Sequence, residues 1–516
     1  MPGRTISPTL RRSPSRFDTL PIQNPCHSFI PCETGQGCVL DDTVLHKLVH
    51  SKQAILSFIV TEGVSMSITT SGTALAPATT VAVCVIGAGP VGATLACMLG
   101  AAGIRVAIVD RAALPPMEHP DFDGRAYAIA SGNRRLLEQA GVWAHLPLPS
   151  GPIEDIRVSD GRLGRPASPL FLHFDHREID EPFGWMTEAR SLRVALNATM
   201  HASPAIEVVA PAEAEVSRSE DGVVIRTSDG RTIHAQLVIA AEGRESPLRN
   251  QAGIAVTRLR YGQSGLVCAV AHALPHGNQA LEHFLPGGPF AQLSMAGTDG
   301  APNLSAIVWS DRNAVVDRMM ALPDAAFARE IQRRLGSHLG AVRPVGRRWM
   351  YRLSAMHAHS YVSTRLALVG DAAHGVHPIA GQGLNLGFRD VAVLGEMLIA
   401  AHARGGDLGD MALLRRYQAA RRPANLAMLA ATDLLDRLFS NDSPALRLAR
   451  DLGIAGVNRI PPLRRAFMRA AMGRPILQKP TLQQPTATRA GGKVPPSSRS
   501  GLAEGADRPY VPSVTS

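Results

Sequence analysis

Two periods organise the apolar residues of this chain. Residues 81–86, "VAVCVI", form a short apolar, β-branched run that predicts a buried strand. It runs directly into "GAGPVGATLACMLGAAG", glycine-rich at first and then spaced as a helix. "RVAIVD" predicts a second strand ending at Asp110, and "TRLALVG", residues 364–370, a third that delivers Asp371 to its end. Further on, "LSAIVWSD" alternates as a strand does, and "HFLPGGPFAQLS" reads as one strand turning through glycines into another. After Arg389 the spacing is helical to about residue 473, with arginines throughout "LRRYQAARRP", "LRLARDLG" and "PPLRRAFMRAAMG". Strands alternating with helices predict an α/β protein, without internal repeats. The first 79 residues lack sustained periodicity, and residues 476–516 are rich in Pro, Gly and Ser, so both are expected to be poorly ordered.

Composition narrows the class. At 516 residues the chain is expected to hold roughly two to four domains. An apolar share of 45% and a charged share of 19%, with no apolar run near the roughly 18 to 20 residues that span a bilayer, exclude an integral helical membrane protein. The net charge of +10 would suit an anionic membrane surface or nucleic acid, but only 4% of residues are aromatic and no dense Lys/Arg block occurs, so no nucleic-acid partner is expected. Cys84 and Cys97 sit in apolar runs as packed, reduced thiols would, which points to a reducing compartment. Cys26, Cys32 and Cys38, with His27, lack the paired spacing of a zinc site. Met66 lies just ahead of the first patterned segment, so a start of translation there is an expectation.

The first motif that carries chemistry is Gly87, Gly89 and Gly92, a G-x-G-x-x-G between a strand and a helix that opens with Pro90 and Val91. The first glycine permits the tight turn, the second lets a pyrophosphate approach the backbone, and the third lets the helix close on the strand. Asp110, twenty-three positions after Gly87, stands where a carboxylate accepts hydrogen bonds from ribose hydroxyls, which favours FAD or NAD over NADP. A second stretch, "GDAAHGVHPIAGQGLN", leaves two readings open. Asp371, His374 and His377 are three residues apart in each step and suggest a metal, although a fourth ligand is missing. Gly370, Gly381 and Gly383, after a buried strand and before a helix, suggest a flat cofactor instead.

Three separated pieces resemble the flavoprotein aromatic hydroxylases of the para-hydroxybenzoate hydroxylase family: the G-x-G-x-x-G segment with Asp110 and Arg111, "DGRAYAIA", and "GDAAHGVHPIAGQGLNLGFRD". "LVIAAEGRESPLR" occupies the place of the family's second flavin/NAD(P)H motif, and "LLRRYQAARRPANLAMLAATDLLDRLFS" is similar to the ubiquinone-biosynthesis branch. The resemblance implies an FAD-binding Rossmann-like domain of the glutathione-reductase type, residues 80–155, 187–258 and 345–405. It further implies an interleaved substrate-binding sheet, residues 156–186 and 259–344, and C-terminal helices, residues 406–475. Arg125 and Arg190 would lie near the flavin, Asp371 on the ribityl chain, and the backbone of Gly383, Leu384 and Asn385 against the ring. Pro378 would shape the loop over the ring, with His374 packing beneath it. The second motif usually carries Asp-Gly, whereas this chain has Glu242-Gly243, whose extra methylene moves the carboxylate outward. Glu242 is either a pyrophosphate-side or nicotinamide-side residue, or an acid that orients backbone.

The resemblance implies a monooxygenase in which NADH or NADPH reduces FAD, O2 adds as a C4a-hydroperoxide, and one oxygen reaches the ring of a polyprenylated phenol in ubiquinone biosynthesis. No side chain can supply activated oxygen, so the protein's task is to bind, orient and exclude water. No catalytic side chain is assigned. His272, His276 and His283 are expected in exposed loops. The arginine-rich helices are expected either to cap the fold or to rest on the inner face of the cytoplasmic membrane, with other ubiquinone-biosynthesis proteins as partners. Two alternatives stay open, a hydroxylase of a soluble aromatic compound and a non-catalytic flavin-fold subunit of an assembly. Ring position and oligomeric state lie beyond the motifs.

Overall fold

The computed structural model describes residues 78–114, 121–161, 171–298, 300–377, 381–439 and 459–472, with single residues between. The expectations for the N-terminal extension, Met66, its cysteines, Pro378 and the tail lie outside them.

The first strand, Thr79–Ile86, is the centre of the first sheet because it is apolar throughout its last four positions and buried there. It pairs in parallel with Thr232–Ala240 on one side and Val106–Val109 on the other. Ile206–Val209 extends the sheet beyond Val106–Val109, and Leu366–Leu368 beyond Thr232–Ala240, both in parallel. Buried, β-branched strands in parallel order need cover on both faces. The helices Pro90–Ala101, Ala189–Ala202 and Gln382–His402 supply buried side chains to that core. Cys84 and Cys97 are buried and unbridged, and burial pushes the Cys97 thiol up to about 12.

A second sheet carries the other half. Its order runs from His374–Gly375 through the long strands Val342–Ala358 and Val256–His272 to Leu304–Arg312, Gly288–Met295, Gln279–Leu285, Asp155–Asp160 and Leu172–Asp175. The expected domain boundaries at 258/259 and 344/345 fall inside the two long strands Val256–His272 and Val342–Ala358. Period-2 alternation gives this sheet two unlike faces. Leu266, Cys268, Ile307, Trp309 and Phe290 point to one side, where Asn313–Ala321 and Asp324–Leu335 cover them. Ala269, Ala306, Leu293 and Ala280 point to the other, toward a small third sheet of Ala126–Ala130, Gly184–Glu188 and Gly151–Ile153. The helices Met411–Phe439 and Pro461–Ala471 come last among the described elements.

One expectation is corrected here. His272 and His283 lie in strands and are buried, and His276 is half-buried. His272 bonds the Leu274 carbonyl and Ser305, and His283 bonds Ser159, so these rings are satisfied structural groups. Burial lowers the pKa of all three. The polar look of "AHALPHGN" hid a strand that continues to its second residue.

Candidate functional site: a trench joined to an apolar cavity

The strand–turn–helix after Thr79–Ile86 opens a trench. Gly87 has φ +101°, and a Cβ there would meet the Ala241 carbonyl oxygen at 2.6 Å. A Cβ at Gly92 would fall 2.0 Å from the Gly87 oxygen, so glycine alone lets the helix close on the turn. Gly89 has nothing within 4 Å of its Cβ position, which leaves open space where a ligand can reach the backbone. No side chain caps the start of Pro90–Ala101, so its amides remain available to an anion. Asp110 accepts hydrogen bonds from the Ala88 amide at 2.6 Å and the Ala112 amide at 2.8 Å, fixing the turn to the end of the second strand. Arg111 is exposed beside it.

Residues 370–377 form the trench's other side. Gly370–Ala372 is a single tight turn after the strand Leu366–Leu368, and Asp371 pairs with Arg244 Nε at 3.0 Å. The turn is held from beneath by Asp390, a fully buried carboxylate on Gln382–His402. Asp390 accepts from the Gly370 amide at 3.1 Å, His374 Nε2 at 2.5 Å, Arg421 Nε at 2.8 Å and Asn425 Nδ2 at 3.0 Å. Burial raises its pKa, but His374 and Arg421 outweigh that and leave it below the ordinary carboxylate range. Arg249, also buried, donates to the Ala372 carbonyl. Thus His374 turns toward Asp390 rather than Asp371, while His377 lies 3.7 Å from Asp436. Among the described residues, no three His, Cys, Asp or Glu side chains converge as a metal site.

Two connected spaces follow. The trench, about 810 Å³, is lined by Gly89, Pro90, Val91, Gly243, Arg244, Asp371, Gly383 and Leu384, with Tyr351 and Leu353 from the large sheet. The cavity beyond it, about 350 Å³, has residues 381–385 on one wall and Ala280, Glu282, Ala291, Leu293 and Val308 on the other. Tyr127, Arg244, Val267, Val308, Gly383 and Leu384 border both. A larger cleft, about 1050 Å³, lies on the helix-covered face of the sheet, and the glycine motifs do not reach it, so size does not select the site.

The helix Gln382–His402 begins at Gly381, at φ +61° and without a side-chain cap, so its amides too face the junction of trench and cavity. Asn385 is buried and donates to the Ala128 and Gly381 carbonyls while accepting from the Ala130 amide, which ties this loop to the third sheet. Two uncapped helix starts, an open Gly89 and an acid at Asp371 suit a dinucleotide with a flat, electron-rich ring, and FAD fits this set. Gly89, Pro90, Val91 and the Asp110 region would hold its adenosine and pyrophosphate, Asp371 its ribityl chain, and residues 383–385 its ring.

Eight of the expected residues line neither space: Gly87, Gly92, Asp110, Arg111 and Gly370 lie in or beside the turns that shape the trench, and Arg125, Arg190 and Glu242 are engaged with protein partners. Arg125 pairs with Asp123 at 2.6 Å and lies 4.4 Å from the Trp349 ring centroid. Arg190 pairs with Glu188 at 2.6 Å over Phe122. Glu242 accepts from Ser246 Oγ at 2.5 Å and from the Leu248 amide at 3.1 Å, so it orients the start of the short helix Pro247–Gln251. Burial raises its pKa. Sequence reasoning missed Arg244, Tyr127, Asp390 and Glu282. The first three stood inside quoted motifs, as the arginine of "EGRESP", the tyrosine of "GRAYA" and the last acid of "GFRD". Glu282 stood as one acid in an otherwise strand-like "QALEHFL".

Fold and trench together define a flavin-binding enzyme, and the comparisons agree. A profile described as FAD binding domain matches residues 80–432. A ubiquinone hydroxylase, UbiL, of Rhodospirillum rubrum is 50% identical over 392 residues, 76% of this chain and 89% of that protein. The 3-demethoxyubiquinol 3-hydroxylase of Escherichia coli K12 is 32% identical over 397 residues, 76% of this chain and 98% of that one. In fold, the chain is similar to the p-nitrophenol 4-monooxygenase PnpA of Pseudomonas putida, with a TM-score of 0.62 and 19% identity over 77% of this chain and 99% of that one. The chain belongs to the FAD-binding-domain family, in the branch of the ubiquinone hydroxylases. It is an FAD-dependent monooxygenase with NAD(P)H and O2 as co-substrates.

Proposed function

We propose that the chain hydroxylates the aromatic ring of a polyprenylated phenol in ubiquinone biosynthesis. The observation that carries this reading is the apolar lining of the cavity and its continuation. Ile153, Phe183, Met186, Ala280 and Phe284 belong to one buried cluster, which extends into Met468 and Met472 at the end of the chain's last described helix. The same helical region exposes Leu434, Leu435 and Ile460, and exposes arginines at 437, 459, 465 and 469 as well. An apolar cluster that reaches from the wall of a ring-sized cavity into the last described helix, in a region that also exposes apolar and basic residues, suits a long prenyl tail drawn from an anionic membrane. Among the described residues no helix is long and apolar enough to cross a membrane, so contact would be peripheral.

Bound FAD, reduced by NAD(P)H, supplies the activated oxygen. The chain's own groups do the rest: residues 381–385 present the ring side of the site, the Gly87 to Gly92 turn anchors the pyrophosphate, and the large sheet shields the reaction from water. The UbiL and 3-demethoxyubiquinol hydroxylase relatives support a ubiquinone-pathway substrate. Deletion of the gene followed by quinone analysis tests this. Accumulation of a prenylated intermediate lacking one hydroxyl is expected, and an unchanged quinone profile with loss of a soluble phenol's hydroxylation would overturn it.

A further inference from the structure

Among the described residues that line the cavity, Glu282 is the one acid. The register shows how it comes to be there. Glu282 pairs with Ala291, Ala291 with Val308, and Val308 with Val267, so the four side chains form a row across the cavity face of the sheet. On its other side Glu282 pairs with Val158. Its neighbours along the strand, Ala280 and Phe284, are core residues. A carboxylate in such a row breaks the apolar pattern of the sheet, and among the described residues no hydrogen bond or ion pair to it compensates. The accessible surface it keeps faces the cavity.

Burial alone pushes the Glu282 carboxyl up to about 7. The other titratable groups lining the cavity are Tyr127, from Ala126–Ala130, and Arg244. Asp160 shares the face of the flanking strand, and Glu188 on Gly184–Glu188 is held by Arg190. Among the described residues no charge relieves Glu282, and a half-buried acid without a partner there, opposite the loop that would face the flavin, has a ligand as its remaining partner.

We propose that Glu282 receives the phenolic hydroxyl of the substrate, accepting first its hydrogen bond and then its proton. The inference rests on the reading of the substrate as a phenol. In this step the phenol O–H bond breaks, the carboxylate oxygen gains the proton, and the electron pair left on the phenol oxygen is shared with the ortho and para carbons of the ring. The enriched carbon then takes the oxygen atom that the flavin chemistry supplies, and its hydrogen leaves as a proton that ends on that new oxygen, which restores the aromatic ring and completes the added hydroxyl. The proton on Glu282 returns to the product's oxygen, so the acid is unchanged over a turnover. A base that titrates near the working pH is suited to this exchange.

The test compares wild-type holoenzyme with Glu282→Gln and Glu282→Asp, using 2-geranylphenol in detergent and unsubstituted phenol as probes. The glutamine variant is expected to keep its FAD absorbance and to melt no lower than wild type, bind the probe within about tenfold, and lose roughly 100-fold in hydroxylation rate. The rising limb of the wild-type pH profile near 7 should vanish with it, and aspartate should restore part of both. On oxidised enzyme at pH 7.5, the difference spectrum should show bound phenolate for wild type and neutral phenol for the glutamine variant. A variant with the wild-type rate, pH limb and phenolate band overturns the proposal. If wild type hydroxylates phenol but not the geranylated probe, the polyprenyl reading fails, and the comparison on phenol still decides the role of Glu282. Wild type that acts on neither overturns both.

Discussion

Asp390 under the trench and Glu282 in the cavity are both carboxylates removed from bulk water, and the protein treats them in opposite ways. Asp390 accepts four hydrogen bonds, two of them from the cationic or cationisable groups Arg421 and His374, and it stays ionised. Glu282 has apolar neighbours and a carboxyl raised to about 7. A fully satisfied buried charge fixes a shape, whereas an unsatisfied one stores a demand for a partner. The trench side must hold a turn in one geometry for a cofactor that stays. The cavity side must meet a substrate that arrives and leaves, and the unmatched acid belongs there.

The largest effect should come from breaking the satisfied side. Asp390→Asn leaves Arg421 buried without its counter-charge and weakens the bond to His374, and a loss of about 3–5 kcal/mol is expected. The variant should melt far below wild type and lose FAD on gel filtration, measured by flavin fluorescence. Because the folded pKa of Asp390 is depressed, its contribution is present above the unfolded value of 3.8 and is lost as pH falls through the lower folded value. A variant within about 1 kcal/mol of wild type would mean that the network does not fix the turn.

Breaking the unsatisfied side should have the opposite sign. Glu282→Leu removes the stranded acid from an apolar row and should stabilise the apo fold while abolishing hydroxylation. A raised carboxyl favours the fold most below its unfolded value of 4.5, and that advantage is lost as pH rises through about 7. The gain from leucine should therefore grow between these limits and level off above, reaching on the order of 2–3 kcal/mol at most. Thermal melts of wild type and variant at pH 5, 6, 7 and 8 read this directly. A difference independent of pH would show that the acid has a partner after all.

The same contrast explains what the sequence made legible. Glycines and terminal acids at fixed spacing are local devices, so Gly87, Gly89, Gly92, Asp110, Gly370 and Asp371 all stand out in one dimension and line or support one trench. Periodicity separated the α/β half from the sheet, and the hairpin through Gly287 and Gly288 was readable from its turn. What spacing does not carry is pairing between distant strands. Glu282 matters because register sets it beside Ala291 and Val308 and because nothing answers it, facts that exist only after the sheet has closed. Asp390 was visible as a letter in "GFRD", yet its partners lie 16 to 35 residues away on other elements. His272 and His283 failed for the complementary reason, since a histidine inside a strand has the same letters as one in a loop.

A smaller effect separates capping from ligand binding at Glu242. Its carboxylate holds Ser246 and the Leu248 amide, so Glu242→Gln should cost about 1 kcal/mol, the usual weight of a helix cap. The KM values for NADH and NADPH should stay within about twofold. A large rise in either, with an unchanged melting temperature, would move Glu242 from the supporting structure to the nicotinamide side.

The smallest effect on stability should come at the apolar residues that the C-terminal helices expose. Leu434 is 65% exposed on Met411–Phe439, so Leu434→Ser should change stability by no more than about 0.5 kcal/mol. If these residues rest on lipid, the change should nevertheless weaken flotation with phosphatidylglycerol vesicles, and more so together with Leu435→Ser and Ile460→Ser. Salt should weaken it as well, because the exposed arginines act through a screened field. Hydroxylation of 2-geranylphenol in detergent should be unaffected, since the cavity is untouched, whereas hydroxylation of a long-chain prenylphenol presented in vesicles should fall. Equal loss on both substrates would place the defect in the cavity, and no loss of flotation would mean that these residues do not rest on lipid.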